Sequence, residues 1–577
     1  MDPVTLSVMR SALEGVATEM GTVLVRSAYS SNIKERRDCS AALFDAAGRL
    51  VAQAEHIPVH LGAMPESVAA VRARGARPGD VFALNDPYTG GTHLPDITLV
   101  SPIAVGRTPV GYAVTRAHHS DIGGMAPGSM PAGSRDLWQE GLVIPPVRLV
   151  KDGQLDEDLL ALICANSRTP RLRRGDFRAQ IAANQVAGQR LAEIAGQRGL
   201  DTLLNAYDEI LRYAERRARD AVRALPDGTY RASGELEGDG VTDADIPIEV
   251  AVTIAGDEMR IDFTGTAPAV DGNVNCPLAV TRSACYFALR VLLPDDVPAN
   301  AGTYAPLTIV AAEGSLVHAQ PPHAVVAGNV ETSQRVADTV LAALANVADV
   351  PAAGQGTMNN LIIGGDGWSY YETIAGGQGG SSRGPGPSGV HVGMTNTLNT
   401  PVEALELEYP MRVERYELAD GTGGAGAHRG GDGVIRSIRV LAPATVSMLT
   451  DRRRHPPAGA RGGRAGTAGR NLIAAGSPAG APAGSPAGAP AGAPAGTTPP
   501  GRAPSPAPAA TAPETARETA PETAQETAPE TGPERTPPDG TATGVEVLPA
   551  KTTRRLDAGD VVTMVTPGGG GWGEPAS

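Results

Sequence analysis

Lysine is scarce in this chain, and its scarcity removes a large class of nucleotide-binding sites. Only Lys34, Lys151 and Lys551 occur among the 577 residues. The phosphate loop of P-loop NTPases reads GxxxxGK[ST], and none of these lysines follows a glycine. The sequence therefore excludes a P-loop.

Cysteines, long apolar runs and net positive charge are also missing. The four cysteines, Cys39, Cys164, Cys276 and Cys285, form no CxxC pair, which argues against a zinc ribbon or a disulfide framework and fits a reducing compartment. A net charge of −14 argues against nucleic-acid or anionic-membrane partners. No apolar run reaches membrane-spanning length, and the first residues show no signal-peptide pattern. We expect a soluble cytoplasmic protein.

Residue periodicity predicts an α+β fold with mixed, multi-layer β-sheets and a helical pair. Pro3 after an aspartate marks a helix start, and apolar residues then recur at helical spacing. The run CSAALFDAAGRLVAQ predicts a β-hairpin with its turn at Asp45–Gly48. Asp176–Leu225 predicts two antiparallel helices broken near Gly199. Another helix is expected after Asn329.

Low-complexity sequence interrupts the C-terminal β region. The triplet PAG recurs five times between Pro478 and Gly496, and ET triplets follow. Such sequence cannot bury a core, so we expect a disordered insertion. The final TPGGGGWG is expected to pack its backbone closely, with Trp572 as an anchor. We predict a metal-site α/β domain with the helical pair, a β-rich second domain, the insertion, and a β segment that completes the second domain, over residues 1–225, 226–474, 475–543 and 544–577.

Two neighbouring segments carry most of the chemistry. NDPYTGGTHLPDITLV places His93 and Asp96 three residues apart in a loop between two β-rich runs. RAHHSDIGG places His118 and His119 at the end of the next β-rich run, with Asp121 just beyond. Two imidazoles and a carboxylate that converge at strand ends suit a divalent metal. His93, Asp96 and His118 are therefore the predicted ligands.

The density of polar residues favours this interpretation over a structural one. Five of the ten histidines fall between residues 56 and 119. A hydrogen-bonded structural histidine pair and a loop-capping HxxD arrangement remain the alternatives. Candidates for supporting the ligands or for proton transfer are His56, His60, His119, Asp121 and Glu35, with a catalytic role assigned to His119, Asp121 and Glu35.

Eight segments together resemble the hydantoinase B/oxoprolinase family. They cover essentially the whole chain outside the insertion, and they read KERRDCSAALFDAAGRLVAQAEHIPVHLG, NDPYTGGTHLPDITLV, RAHHSDIGGMAPGSM, NVETSQRVAD, YYETIAGGQGG, NTPVEALE, GGAGAHRGGDG and TPGGGGWGEP. The family includes the B-type subunit of N-methylhydantoinase, the C-terminal half of 5-oxoprolinase and a subunit of acetone carboxylase.

The resemblance implies a B-type subunit of an ATP-dependent cyclic-amide hydrolase. It implies a hetero-oligomer with a hydantoinase A-type subunit, which binds ATP. In acetone carboxylase the corresponding His-x-x-Asp and downstream His hold manganese, and by motif these are His93, Asp96 and His118 here. Zinc and iron accept the same donors. A ketone carboxylase subunit, a non-haem iron oxygenase and a non-catalytic scaffold remain alternative functions.

Overall fold

The computed structural model of this chain describes residues 1–55, 57–60, 62–476 and 544–576. Residues 477–543 lie outside this description, so disorder in the insertion stays a prediction. His56, a candidate for supporting the ligands, also lies outside the described residues.

The N-terminal helix begins where the sequence predicts. The Asp2 carboxylate accepts a hydrogen bond of 2.9 Å from the Thr5 amide and caps helix α1, Pro3–Ser27. Its apolar face, which includes Met9 and Leu13, packs against the first β-sheet. The short helix α2, Ser31–Lys34, leads into that sheet.

The first sheet contains seven antiparallel strands in the order β2-β1-β5-β4-β3-β6-β7. Its edge hairpin, β1 with β2, confirms the predicted hairpin, and Gly48 closes the turn at φ +85°. The strands are β1 (Cys39–Phe44), β2 (Leu50–Glu55), β3 (Val81–Leu84), β4 (Asp96–Val105), β5 (Thr108–His118), β6 (Val147–Lys151) and β7 (Gln154–Leu155).

A helical layer covers one face of this sheet. The predicted helical pair is confirmed, because helix α5 (Pro170–Arg198) ends and helix α6 (Leu200–Arg223) begins at Gly199, whose φ is +90°. Gln180 and Asn184 of α5 donate side-chain hydrogen bonds to the carbonyls of Ile97 and Leu99, which anchors the helix to β4. The remaining helices of this half are α3 (Met64–Ala73) and α4 (Glu157–Ala165), and the pair itself is α5 (Pro170–Arg198) and α6 (Leu200–Arg223).

The second sheet has four strands, ordered β11-β10-β9-β8, and packs against two helices. A π-helical turn, Gly328–Thr332, leads directly into the second of these helices, and the sequence predicted a helix at this place. The strands are β8 (Gly228–Glu237), β9 (Asp245–Ala255), β10 (Glu258–Asp262) and β11 (Leu307–Val310), and the helices are α7 (Leu278–Leu292) and α8 (Ser333–Leu344).

Two further antiparallel sheets share one apolar core, which contains residues of both. The third sheet, ordered β13-β12-β16-β19, comprises β12 (Asn360–Gly365), β13 (Trp368–Thr373), β16 (Ala444–Leu449) and β19 (Lys551–Leu556). The fourth, ordered β14-β15-β20-β17-β18, comprises β14 (Met411–Ala419), β15 (Gly433–Val440), β17 (Arg470–Ala474), β18 (Val545–Leu548) and β20 (Val561–Val565), with helix α9 (Val402–Glu408) beside β14.

The strands on either side of the insertion pair with each other. Ala474 of β17 lies opposite Val545 of β18, so the chain leaves and re-enters the same sheet at one edge. This pairing confirms a C-terminal β region that the low-complexity segment interrupts. Within the part of the chain that the structure describes, no helix is both long and apolar enough to cross a membrane.

The terminal glycine run packs backbone against backbone, as the sequence predicts. A Cβ atom added at Gly568, Gly569 or Gly570 would lie 2.1 Å from a carbonyl oxygen of Thr422, Gln378 or Ala458 respectively. Three successive residues thus face three different segments. Trp572 follows, and its carbonyl accepts a hydrogen bond from the His428 amide at 2.9 Å.

Candidate metal centre

Two adjacent strand ends bring the three predicted ligands together. Asp96 opens β4 and His118 closes β5, and the antiparallel register places these two residues directly opposite each other. His93 lies three residues before β4, in the Gly-Pro-marked loop. Asn85 fixes this loop, because its amide nitrogen donates to the Leu94 carbonyl at 2.8 Å.

The donor atoms of the three side chains converge on one point. His93 Nε2 and His118 Nδ1 each lie 3.0 Å from Asp96 Oδ1, and the two nitrogens are 3.2 Å apart. All three residues are buried. In the described part of the chain, these three side chains lie close enough to hold one metal ion, because one donor atom of each lies within 4.8 Å of the other two.

These separations fit a bound divalent cation. Ligands at about 2.1 Å from one ion, with angles near 90°, lie about 3.0 Å from each other. Two nitrogens and one carboxylate oxygen also suit manganese, zinc or iron in donor type. His93 Nδ1 and His118 Nε2, the opposite ring nitrogens, are buried and have no hydrogen-bond partner among the described residues. Buried polar atoms of this kind need a partner, such as a water or a substrate group.

The protonation states also suit a metal. Burial opposes ionisation of Asp96, but His93 and the hydrogen bonds from His118 and His60 outweigh it and hold the Asp96 pKa well below its usual range. Burial lowers the pKa of His118. An ionised carboxylate and a neutral imidazole are the forms that bind metal ions.

The second oxygen of Asp96 has its own partners. Thr92 Oγ1 donates to Asp96 Oδ2 at 2.5 Å, and His60 Nε2 lies 3.5 Å from the same oxygen. The other nitrogen of His60 lies 2.9 Å from Ser40 Oγ. The structure thus brings His60, one of the candidates for supporting the ligands, to the cluster.

The other proton-transfer candidates make their hydrogen bonds elsewhere. His119 Nε2 lies 3.0 Å from Gln180 Oε1 on α5, and burial lowers the pKa of His119 to about 3. The Asp121 carboxylate accepts hydrogen bonds from the Gly128 amide and from the backbone and guanidinium of Arg168.

Glu35, the third candidate, is only half-buried at the end of α2. Burial raises the pKa of Glu408, and the nearby charge of Glu35 raises it further. Glu35 therefore lies beside another carboxylate.

Residues from distant parts of the chain, which are not among the predicted site residues, hold His118 in place. The Asn32 side chain donates to the His118 carbonyl at 2.7 Å, and the His118 amide donates to the Asp38 carbonyl. The Tyr371 ring stacks on the imidazole with centroids 4.5 Å apart, and the buried Arg36 guanidinium lies 4.6 Å from the Tyr371 centroid. The only sequence signal for these residues was their place in or near two of the eight segments described above.

The chain is similar to known proteins along nearly its whole length. The family model described as hydantoinase B/oxoprolinase matches residues 2–575. An uncharacterised protein of Methanocaldococcus jannaschii is 40% identical, over 82% of this chain and 85% of its own length. A Pseudomonas protein named as the putative B-type subunit of a D-/L-hydantoinase is 36% identical, over 81% of this chain and 83% of its own.

Some relatives are much longer than this chain. 5-oxoprolinase 1 of Arabidopsis thaliana is 40% identical over 82% of this chain, but the matched part spans only 39% of that protein. Similar partial coverage applies to the 5-oxoprolinases of Dictyostelium discoideum and Saccharomyces cerevisiae, at 38% and 39% of their lengths.

Two solved structures share the fold. The ATP-dependent caprolactamase from Pseudomonas jessenii superposes with a TM-score of 0.82 at 26% identity, covering 100% of this chain and 91% of that one. Nucleotide-free acetone carboxylase superposes with a TM-score of 0.80 at 18% identity, covering 100% and 76%. At that lower identity, the likeness concerns the fold alone.

Proposed function

The chain belongs to the hydantoinase B/oxoprolinase family, and we propose that it is the B-type subunit of an ATP-dependent cyclic-amide hydrolase. The observation that carries this proposal is the buried cluster of His93, Asp96 and His118, whose donor atoms lie 3.0 to 3.2 Å apart. When bound, a divalent metal would supply Lewis acidity and lower the pKa of a water molecule. Manganese is the proposed ion, with zinc and iron as alternatives.

The surrounding side chains would orient the cluster. Thr92 holds Asp96 Oδ2, which leaves Oδ1 to face the two imidazoles. Tyr371 and Asn32 fix the ring and the backbone of His118. His60 lies beside the site, with Nδ1 2.9 Å from Ser40 Oγ and Nε2 3.5 Å from Asp96 Oδ2, and is a further candidate for proton transfer.

We also propose, as predicted from the sequence, that His119, Asp121 or Glu35 transfers a proton during hydrolysis. The contacts described above favour support roles for two of them. His119 ties β5 to α5, and Asp121 fixes the loop that follows β5.

The ATP step would belong to a partner, a hydantoinase A-type subunit. A relative is named as the B-type subunit of a hydantoinase, and a structural neighbour is described as ATP-dependent. The chain also lacks a P-loop lysine. The partner would transfer the γ-phosphoryl group of ATP to the carbonyl oxygen of a lactam or imide. Water would then attack the activated carbon, and the ring C–N bond would break as the nitrogen takes up a proton and leaves. A second water would hydrolyse the resulting acyl phosphate, which releases phosphate and the ring-opened carboxylate.

The direct test is ATP-coupled hydrolysis by the co-expressed pair. We expect ADP release to depend on hydantoin or 5-oxoproline, and His93→Ala to reduce turnover at least 100-fold, since one metal ligand is lost. His455→Ala is the matched control, because His455 forms a half-exposed pair with Asp245, with Nε2 3.0 Å from the carboxylate.

Other outcomes discriminate among the alternatives. Full turnover in His93→Ala would refute the assignment of the cluster. Dependence on bicarbonate and a ketone would favour a carboxylase, and oxygen uptake without ATP would favour an iron oxygenase. Absence of any turnover and of any bound metal would favour a scaffold.

A further inference from the structure

Glu331 is a buried carboxyl group that the proposed chemistry leaves unused. It lies in the π-helical turn before α8 and is fully buried. Its Oε1 accepts hydrogen bonds from the Met358 amide at 3.2 Å and from Asn360 Nδ2 at 2.9 Å. Its Oε2 is buried and has no hydrogen-bond partner among the described residues.

The cations near Glu331 make their closest polar contacts with other residues, and Arg453, for example, donates to Asn359 and Asn471. Arg335 and Lys551 lie 2.8 Å and 3.6 Å from Asp451, whereas Glu331 has no ion pair within 4.0 Å in the described part of the chain. Burial raises the pKa of Glu331 to about 7, and the charge of Asp451 adds to this effect. Because no cation of the described residues lies within ion-pair distance of it, the Glu331 carboxyl group acts here as a hydrogen-bond acceptor, not as half of an ion pair.

The acceptor role of Glu331 fixes the orientation of Asn360. The Asn360 amide nitrogen donates both to Glu331 Oε1 and to the Leu449 carbonyl, the latter at 2.7 Å. Both amide hydrogens are therefore used on that side. Asn360 Oδ1 consequently faces the Tyr371 hydroxyl, which donates to it at 2.9 Å.

Tyr371 continues this chain of contacts to the metal centre. Its ring stacks on His118 at a centroid distance of 4.5 Å and an interplanar angle of 28°. His118 Nδ1 is one of the three converging donor atoms. A shift of the phenol would therefore change the plane of a ligand ring.

We propose that Glu331 is a positioning residue for the metal centre, acting through Asn360 and the Tyr371 ring on His118. The inference rests on the proposed metal site. Partners that contact metal ligands from outside set ring orientation and affect metal affinity. Glu331 would do so from the second sheet's helical layer, three contacts away from His118.

The test is titration of the full-length, metal-free chain with Co²⁺, followed through the visible absorption of the bound ion. Glu331→Ala leaves the Asn360 amide free to turn, so we expect the Kd for Co²⁺ to rise about tenfold and the cobalt spectrum to change. Tyr371→Phe removes the hydroxyl donor and should give a similar change. The double variant should bind Co²⁺ no more weakly than either single variant, since both substitutions interrupt the same series of contacts.

Two further variants keep the test decisive if Glu331→Ala folds poorly. Glu331→Gln retains an acceptor oxygen and should bind Co²⁺ within about twofold of the wild-type chain. Asn360→Ala should reproduce the tenfold loss. Glu237→Ala is the matched control, since Glu237 is a buried carboxylate that accepts backbone hydrogen bonds from Arg453 and Arg454 and, among the described residues, makes no hydrogen bond with Asn360.

Unchanged Co²⁺ affinity and spectrum in Glu331→Ala and Asn360→Ala, or strictly additive losses in the double variant, would overturn the positioning role. A wild-type chain that binds no Co²⁺ would instead overturn the metal site itself, so the two failures are distinguishable.

Discussion

The Asp96 carboxylate contacts most of the polar side chains of the candidate centre. Its two oxygens face His93, His118, Thr92 and His60. A carboxylate this deeply buried loses its hydration and needs strong compensating partners. Hydrogen bonds from a threonine and from imidazoles supply part of this compensation, and a cation at Oδ1 would supply the rest. These contacts support the proposed metal site over the alternative of a purely structural histidine pair.

The buried Glu331 carboxyl group supports a prediction about how the free energy of unfolding depends on pH. Its pKa in the folded chain is about 7, above the ordinary value of 4.5, because of burial and the neighbouring Asp451. A raised pKa contributes stability that is complete below about pH 4.5 and is lost as pH rises toward 7. Lys551 and Arg453 are the facing cations that limit this loss.

Glu331→Gln removes this titration. We expect the free energy of unfolding of the variant, relative to wild type, to increase by about 1–3 kcal/mol between pH 5 and pH 8. Urea unfolding at both pH values measures it. The exposed Glu249→Gln provides the control, and equal pH dependence in wild type and Glu331→Gln would show that the carboxyl is ionised throughout.

At the scale of secondary structure, the sequence predicted what depends on local pattern. The capped start of α1, the β1–β2 hairpin and the break at Gly199 each follow from neighbouring residues. Asp96 and His118 could be placed at strand ends because the apolar runs around them are clear.

The remainder of the site depends on contacts between distant segments. Nothing in the local sequence of Tyr371 indicates that its ring approaches His118, because sheet-to-sheet packing determines that approach. The π-helical turn that buries Glu331 also has no local signature, since the same residues fit an ordinary first helical turn.

The glycine run Gly568–Gly571 provides a prediction for one element. Gly569→Ala would place its Cβ atom 2.1 Å from the Gln378 carbonyl oxygen, and backbone cannot move aside easily. We expect a loss of about 3 kcal/mol or more in unfolding free energy, measured by urea titration. Gly196→Ala is the matched control, because a Cβ there meets nothing within 4 Å and lies in helix α5.

The free energy of unfolding of Gly196→Ala should be unchanged or should increase by about 0.5–1 kcal/mol, because alanine has the higher helix propensity. If Gly569→Ala were as stable as Gly196→Ala, close backbone packing of this glycine run would not contribute to the free energy of unfolding.

At the scale of the whole molecule, the candidate centre lies where two sheets meet. The first sheet supplies Asp96 and His118, and the third supplies Tyr371, which stacks on His118. The proposed metal-site and β-rich domains, residues 1–225 and 226–474, would therefore both be needed for an intact site. An excised N-terminal half would lack the ring that positions one ligand.

The insertion should be dispensable for this architecture. Since β17 and β18 pair directly on either side of it, a four-residue Gly-Asn linker in place of residues 479–543 should leave the thermal midpoint unchanged or slightly higher. Differential scanning fluorimetry measures this, and retention of bound metal checks the site. A large fall in the midpoint would mean that the segment packs against the rest of the chain.

The most direct test of the account is the metal content of the purified chain, measured by elemental analysis after exposure to Mn²⁺ and removal of free ion. We predict about one ion per chain in the wild type and in His455→Ala, and about a tenth of that or less in His93→Ala and Asp96→Ala. Wild-type occupancy in both of these ligand variants, or no bound ion in the wild type, would contradict the account.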